Sequence, residues 1–121
     1  MLPRLHVESS IVSYLTARPS CDLITAARQA ITQEWWQERR LQFELVTSEA
    51  VLEEAEAGDS IFAQSRLDLL KRIPLLTITD DVEALAAQLI NEGPLPSIAY
   101  FDALHIATTA LHGVEYLMTW N

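Results

Sequence analysis

The sequence lacks the features of disulfide-stabilised and membrane-spanning proteins. Its one cysteine, Cys21, excludes an internal disulfide and a multi-cysteine zinc site, so a reducing compartment is expected. No apolar run approaches the ~18 residues of a membrane span, and no secretory leader pattern is present at the N-terminus. These absences predict a cytoplasmic protein that does not enter a membrane.

Positive charge is also scarce. The 121 residues include 17 acidic and eight basic side chains, and the formal net charge is −9. Proteins that bind nucleic acid on their own are usually basic. A chain this acidic needs a bound cation or a basic partner protein before it approaches phosphate. Half of the residues are hydrophobic, which is sufficient for one domain with its own core.

Four apolar segments with strand character alternate with helical segments. The strands are predicted at residues 4–8, 42–47, 74–78 and 115–120. Helices are predicted at about residues 9–16, 20–40, 48–57, 59–72, 79–93 and 97–112, with Ser48, Asp59 and Thr79 as the expected N-terminal caps of the third, fourth and fifth. Such alternation is typical of βαβ units. It predicts an α/β fold with a central, mainly parallel four-stranded sheet covered by helices on both faces.

The second predicted helix carries an apolar stripe. Leu23, Ala27, Ile31 and Trp35 recur at four-residue spacing along it. This spacing is typical of an amphipathic helix and predicts that these side chains form its apolar face.

Three carboxylates from distant segments are expected at one edge of the sheet, because sites in open α/β folds form beyond the carboxyl ends of the strands. Glu8 ends the first strand, Glu54 lies early in the helix after the second strand, and Asp102 lies early in the helix before the fourth. Glu8 has a simpler interpretation as a helix-start acid, and Glu53 and Glu54 as a solvated face. Asp102 lies on a helix that is apolar nearly all round and therefore buried, and a buried carboxylate needs a partner or a metal.

His105 follows Asp102 by three residues on the same predicted helix. The two side chains could share a metal ion. A hydrogen-bonding role beside the site, or an ordinary buried imidazole, is favoured, because one helix cannot close a metal site alone. Asp80 and Asp81 also follow a strand, and helix capping is sufficient to explain them.

Three motifs occur in a fixed order along the chain. The first is a strand, the acid Glu8, two serines and an apolar helix. The second is S-x-x-V-L-x-E-x-x-x-G from Ser48 to Gly58, and the third is D-A-L-H-I-A-T-x-A-x-x-G-x-x-Y-L-x-T-W-N from Asp102 to Asn121. In this order they resemble the PIN domain family, and most closely the VapC-type toxins of bacterial toxin–antitoxin pairs. The resemblance covers essentially the whole chain and implies a three-layer α/β/α sandwich with the first strand central.

The resemblance implies a Mg²⁺- or Mn²⁺-dependent ribonuclease that acts as the toxin of a toxin–antitoxin pair. Position by position, the family's catalytic, metal-binding acids fall on Glu8, Glu54 and Asp102. Residues expected to support them are Ser10, Thr119 and Asn121. The expected partners are an RNA substrate, a cognate antitoxin and a second copy of the chain in a homodimer.

Two departures from the family pattern support an alternative to an active ribonuclease. The family's first acid is usually aspartate, whereas this chain has Glu8, and the family usually has a further ligand three residues beyond the position of Asn121. Residues 1–121 are therefore expected to form a single PIN-like domain whose C-terminal end is missing. The alternative is a catalytically impaired PIN-fold protein that acts through partner binding. A phospho-acceptor receiver domain is less favoured, because the only lysine, Lys71, precedes the third strand rather than the last.

Overall fold

Strands and helices alternate along the chain in the predicted order, and the computed structural model describes all of residues 1–121. The strands are β1 (Arg4–Val7), β2 (Glu44–Ser48), β3 (Leu75–Leu76) and β4 (Tyr116–Met118). The α-helices are α1 (Ser9–Thr16), α2 (Leu23–Glu38), α3 (Glu49–Ala55), α4 (Ser60–Leu70), α5 (Asp80–Asn91) and α6 (Tyr100–Leu111). Short 3₁₀ helices cover Arg40–Gln42 and Ser97–Ala99. None of the helices combines the length and the apolar character required to span a bilayer.

The four strands form one parallel sheet in the order β3-β2-β1-β4. Leu5 of β1 pairs with Leu45 of β2 on one side and with Tyr116 of β4 on the other. The implied arrangement, with the first strand central, is confirmed, and β3 lies at one edge. Because the strands are parallel, the carboxyl ends of β1, β2 and β4 lie at the same edge of the sheet, where Glu8 follows β1.

Each face of the sheet is covered by its own group of helices. Leu5 and Val7 pack with buried side chains of α1, α3 and α4. A second apolar cluster joins α5 to α6, with Ala50 of α3 at its margin. Since successive side chains of a strand point to opposite faces, His6 and Glu8 lie on the α6 side. The central strand therefore places two polar residues between the sheet and α6.

The predicted N-terminal caps of three helices are confirmed. The hydroxyl of Ser48 accepts a hydrogen bond from the amide of Val51 at the start of α3. Asp59 and Thr79 cap α4 and α5 in the same manner. Such caps satisfy backbone N–H groups that have no partner within the helix. Helix α2 starts later than expected, because its cap is Asp22 rather than Ser20.

The apolar stripe predicted on α2 lies mostly outside the core. Leu23 and Ile31 are 85% and 55% exposed, respectively. The buried residues of this helix are Gln29 and Thr32. Of the four stripe residues, only Trp35 packs against the core, and it is half-buried.

Polar contacts determine which face of α2 is buried. The side-chain amide of Gln29 accepts from the backbone N–H of Ser20 at 3.0 Å and donates to the carbonyl of Arg18 at 2.9 Å. The hydroxyl of Thr32 accepts from the indole Nε1 of Trp120 at 2.8 Å. Buried polar groups need such partners, so these contacts, together with the packing of Trp35 and Trp36 on the core, make this the inner face of the helix.

Candidate metal centre

Glu8 is both the cap of α1 and a buried carboxylate at the carboxyl edge of the sheet. Its side chain is 1% exposed and accepts four hydrogen bonds. One carboxylate oxygen accepts from Ser9 Oγ at 2.6 Å and from the backbone N–H of Ser10 at 3.1 Å. The other accepts from Ser10 Oγ and Thr119 Oγ1, both at 2.5 Å. These four bonds fill the acceptor capacity of a carboxylate.

The hydrogen bonds also determine the charge of Glu8. Burial alone would raise the pKa of its carboxyl group. The bonds from Ser10, Ser9 and Thr119 together outweigh burial and lower the pKa below its usual value. Glu8 is therefore ionised at neutral pH.

Glu54 on α3 is the second carboxylate of the cluster. Its Oε1 lies 2.6 Å from His105 Nε2 and 3.0 Å from Ser9 Oγ. The single proton of the Ser9 hydroxyl is thus shared between Glu54 and Glu8. No lysine or arginine forms a salt bridge with Glu54 or Glu8. Two carboxylates therefore lie close together without a lysine or arginine to neutralise them.

Ligand atoms from Glu8, Glu54 and His105 all lie within 4.8 Å of one another. Asp102 is not in that group. It is half-buried in the first turn of α6 and lines a cavity of about 280 Å³ with Glu8 and His105. Thr119 and Asn121 contribute the other polar groups of this cavity. The structure therefore brings Glu8 and Glu54 together directly, and brings Asp102 to the same cavity as Glu8.

The remaining acids considered from the sequence lie elsewhere. Glu53 is exposed and lines a different cleft, with Glu49 and Glu83. Asp80 and Asp81 are exposed in the first turn of α5 and do not line the cavity. The geometry thus selects Glu54 rather than its neighbour.

Two residues of the site were missed in the sequence. Ser9 bridges the two carboxylates, as described above. His6 on β1 is fully buried, its Nδ1 lies 2.8 Å from Thr109 Oγ1, and its ring is edge-on to that of His105. Its pKa is lowered to about 4, first by burial and then by His105. The available signal was the alternation of His6 and Glu8 in an apolar strand, which places both on one face.

The donor set fits a divalent cation. Carboxylate oxygens are the ligands that Mg²⁺ prefers, and an imidazole nitrogen beside them also suits Mn²⁺ and related ions. Ligand atoms on opposite sides of one such ion lie roughly 4 Å apart, close to the span of the Glu8, Glu54 and His105 atoms. A cation would also relieve the repulsion between the two neighbouring carboxylates.

Comparisons with known proteins agree with this fold. No curated protein matches the sequence. Among solved structures, the fold is similar to that of VapC20 from Mycobacterium tuberculosis, described as a sarcin–ricin loop cleaving toxin. The TM-score is 0.71 at 16% identity, over 97% of this chain and 89% of that chain. Residues 8–121 match the PIN domain. The resemblance seen in the motifs is confirmed, and the chain belongs to the PIN domain family.

Proposed function

We propose that this protein is a Mg²⁺- or Mn²⁺-dependent endoribonuclease that acts in the cytoplasm as the toxin of a toxin–antitoxin pair. The main observation is that Glu8 and Glu54, from distant segments, meet beside His105 at the carboxyl edge of a PIN-fold sheet. Membership of the PIN family supports a nuclease, and the fold shared with VapC20 supports a toxin.

In this proposal Glu8, Glu54 and Asp102 hold the metal. A bound divalent ion supplies a Lewis acid for a phosphate oxygen and lowers the pKa of a water. Ser10 and Thr119 keep the Glu8 carboxylate ionised and fixed in orientation through their hydrogen bonds. Such bonds to ligand side chains are important for metal affinity.

The negative charge of the protein determines the expected order in which metal and RNA bind. The protein carries a formal charge of −9, and the site itself holds two adjacent carboxylates. RNA phosphates are repelled by such a surface until a cation is present. We therefore expect metal to bind first and RNA second, with Asn121 at the cavity available to contact the substrate.

The partners proposed are an antitoxin and a second copy of the chain. The outer face of α2 exposes Leu23, Ile24 and Ile31, all more than half exposed. An exposed apolar patch of this kind marks a contact surface for another protein. We propose that the antitoxin covers it. Sedimentation of the protein alone and with its antitoxin tests both the homodimer and the complex.

One observation favours the alternative of an impaired PIN-fold protein. Each oxygen of Glu8 already accepts two hydrogen bonds from the protein. A metal that binds Glu8 directly must share an oxygen with these donors or displace one of them. If neither occurs, the site binds metal weakly and the protein acts through its partner alone.

RNA cleavage by matched variants tests the proposal. Purified protein is incubated with total RNA in Mg²⁺, in Mn²⁺ and in chelator. We expect metal-dependent cleavage that Glu54→Gln and Asp102→Asn abolish and that Glu53→Gln leaves intact, since Glu53 is exposed outside the site. Cleavage that persists in chelator, or in Glu54→Gln, would refute the metal mechanism. Antitoxin binding without metal binding would support the alternative.

A further inference from the structure

We propose that His105 is itself a ligand of the metal, through Nε2. Its other ring nitrogen, Nδ1, then carries a proton and donates a hydrogen bond to the neighbouring His6. This inference rests on the proposed function, because it assumes that the ion binds at Glu8 and Glu54. It adds a nitrogen donor to the three acids that the resemblance implies, and it assigns a role to a buried histidine of the central strand.

The position of His105 Nε2 is the first observation. It is one of the three ligand atoms that lie within 4.8 Å of one another, and its ring is 1% exposed. The 2.6 Å hydrogen bond to Glu54 Oε1 places one proton between the two residues. A divalent cation in place of that proton would hold both side chains on one positive centre, with the two ligand atoms moved slightly apart. His105 also lines the same cavity as Asp102.

Two unpaired nitrogens are the second observation. His105 Nδ1 and His6 Nε2 are buried and have no hydrogen-bond partner. Buried polar atoms without a partner are uncommon in folded proteins and call for an explanation. The two rings are neighbours, with centroids 6.0 Å apart and planes at 90°.

The hydrogen bonds around Thr109 define the tautomer of His6. The hydroxyl of Thr109 donates its single proton to the carbonyl oxygen of His105 at 2.7 Å. It must therefore accept from His6, whose Nδ1 lies 2.8 Å away and carries the proton. A neutral His6 ring then has an unprotonated Nε2, which is an acceptor.

Metal binding makes the two unpaired nitrogens complementary. In neutral His105 with its proton on Nε2 toward Glu54, Nδ1 is an acceptor, and two acceptors cannot pair. When Nε2 binds a metal, the proton of His105 resides on Nδ1, which becomes a donor for His6 Nε2. Metal-bound histidines almost always donate their other N–H to such an acceptor. The metal-bound tautomer thus gives the pair one donor and one acceptor, and a small movement of the two rings is needed to bring these nitrogens into hydrogen-bond contact.

A nitrogen ligand changes which ion the site prefers. Imidazole suits transition metals, whereas Mg²⁺ prefers an all-oxygen set. We expect the ratio of Mn²⁺ to Mg²⁺ affinity to fall by about tenfold when His105 is replaced by glutamine. In His105→Gln, the side-chain amide can still donate to Glu54 but offers no imidazole nitrogen. This variant therefore separates loss of the ligand from loss of the hydrogen bond.

Calorimetry and pulsed electron paramagnetic resonance test the proposal. Mn²⁺ and Mg²⁺ are titrated into the parent protein, His105→Gln, His6→Asn and the control His112→Gln, which lies outside the cavity. Bound Mn²⁺ in the parent should show coupling to a directly bound ¹⁴N, and His105→Gln should lose it. His6→Asn retains a donor toward Thr109, but its shorter side chain has no atom at the position of Nε2, so it should weaken Mn²⁺ more than Mg²⁺. His112→Gln should match the parent.

Several results would overturn the inference. Mn²⁺ bound to the parent without ¹⁴N coupling refutes His105 as a ligand while the proposed nuclease stands. An unchanged affinity ratio in His105→Gln refutes it as well. Failure of both ions to bind, together with absence of RNA cleavage, refutes the proposed function and the inference together. The resonance measurement on the parent needs no variant, so it decides the question even if a substitution prevents folding.

Discussion

Acidification below pH 6.5 should destabilise this protein through the buried ring of His6. Its pKa is lowered from 6.5 to about 4, chiefly because burial penalises the charged imidazole. His105 adds to the lowering, Glu8 opposes it, and His112 adds a smaller contribution. The unfolded chain therefore takes up a proton near pH 6.5, whereas the folded protein takes up the same proton only near pH 4.

The size of the effect follows from the linkage between proton binding and folding. Between the two pKa values the unfolded state binds more protons, so the free energy of unfolding decreases by about 1.4 kcal/mol for each pH unit of acidification. The total loss is about 3 kcal/mol and is complete near pH 4. Glu8 acts in a different range, because its lowered pKa stabilises the fold above its usual value of 4.5 and that stability is lost only below it.

Urea unfolding between pH 7.5 and 4.5, followed by tryptophan fluorescence in chelator, measures this loss. The parent and the control His112→Asn should both lose stability, the control slightly less because His112 contributes to the lowered pKa of His6. His6→Asn retains a donor for Thr109 but does not titrate, so its free energy of unfolding should be nearly constant over this range. Equal stability of the parent at pH 7 and pH 4.5 would refute the argument. A loss in His6→Asn as large as in the parent would assign the effect to another group.

Three further substitutions test the hydrogen bonds of the site by chemical or thermal unfolding. Glu8→Gln should lower the free energy of unfolding by about 2 kcal/mol, because the NH₂ of its amide faces hydroxyl groups that donate to the carboxylate. The exposed control Glu53→Gln should leave it nearly unchanged, and equal effects of the two substitutions would contradict this. Ser9→Ala removes the hydroxyl shared by the two carboxylates, so it should lower the melting temperature without metal and enlarge the rise in melting temperature on adding Mn²⁺. An unchanged rise would contradict this. Trp120→Phe should cost about 1 kcal/mol through the lost bond to Thr32, and an unchanged unfolding midpoint would exclude that contribution.

The starts of several helices could be predicted from local sequence, whereas the central position of β1 in the sheet was implied by the family resemblance. Ser48, Asp59 and Thr79 are short polar side chains directly before helical segments, and each caps its helix as expected. Caps are local interactions, so the residues that form them lie within a few positions of one another. Strand β3 is shorter than the predicted residues 74–78, because only Leu75 and Leu76 pair with a neighbouring strand. The length of a paired strand depends on its partner, which local sequence does not show.

The orientation of α2 could not be predicted in the same way. Periodicity shows that a helix has an apolar face but does not show which face docks. Here the inner face is chosen by Gln29 and Thr32, whose partners Arg18, Ser20 and Trp120 lie elsewhere in the chain. Contacts of this kind depend on tertiary structure and do not produce a periodic pattern in the sequence.

The candidate site was likewise predictable from the sequence only in part. Motif spacing located Glu8 and Glu54, and the structure places these two carboxylates together. The contributions of Ser9 and His6 depend on where a hydroxyl proton and a ring edge point in space. Alternation along β1 was the only sequence feature that indicated His6, and no feature distinguished Ser9 from an ordinary helix-start serine.

The attachment of Trp120 to α1 and α2 has a consequence for local opening. The backbone N–H of Trp120 donates to Ser10 Oγ at 2.9 Å, its indole is bound to Thr32, and Thr119 before it donates to Glu8. Detachment of residues 119–121 would expose the Glu8 carboxylate to water while the rest of the domain remains folded. The lifetime of the assembled site is then limited by this sub-global fluctuation, whose free energy is smaller than that of global unfolding. Amide hydrogen exchange at Trp120 thus reports how often the site is open, and any ligand that binds only the assembled site slows that exchange.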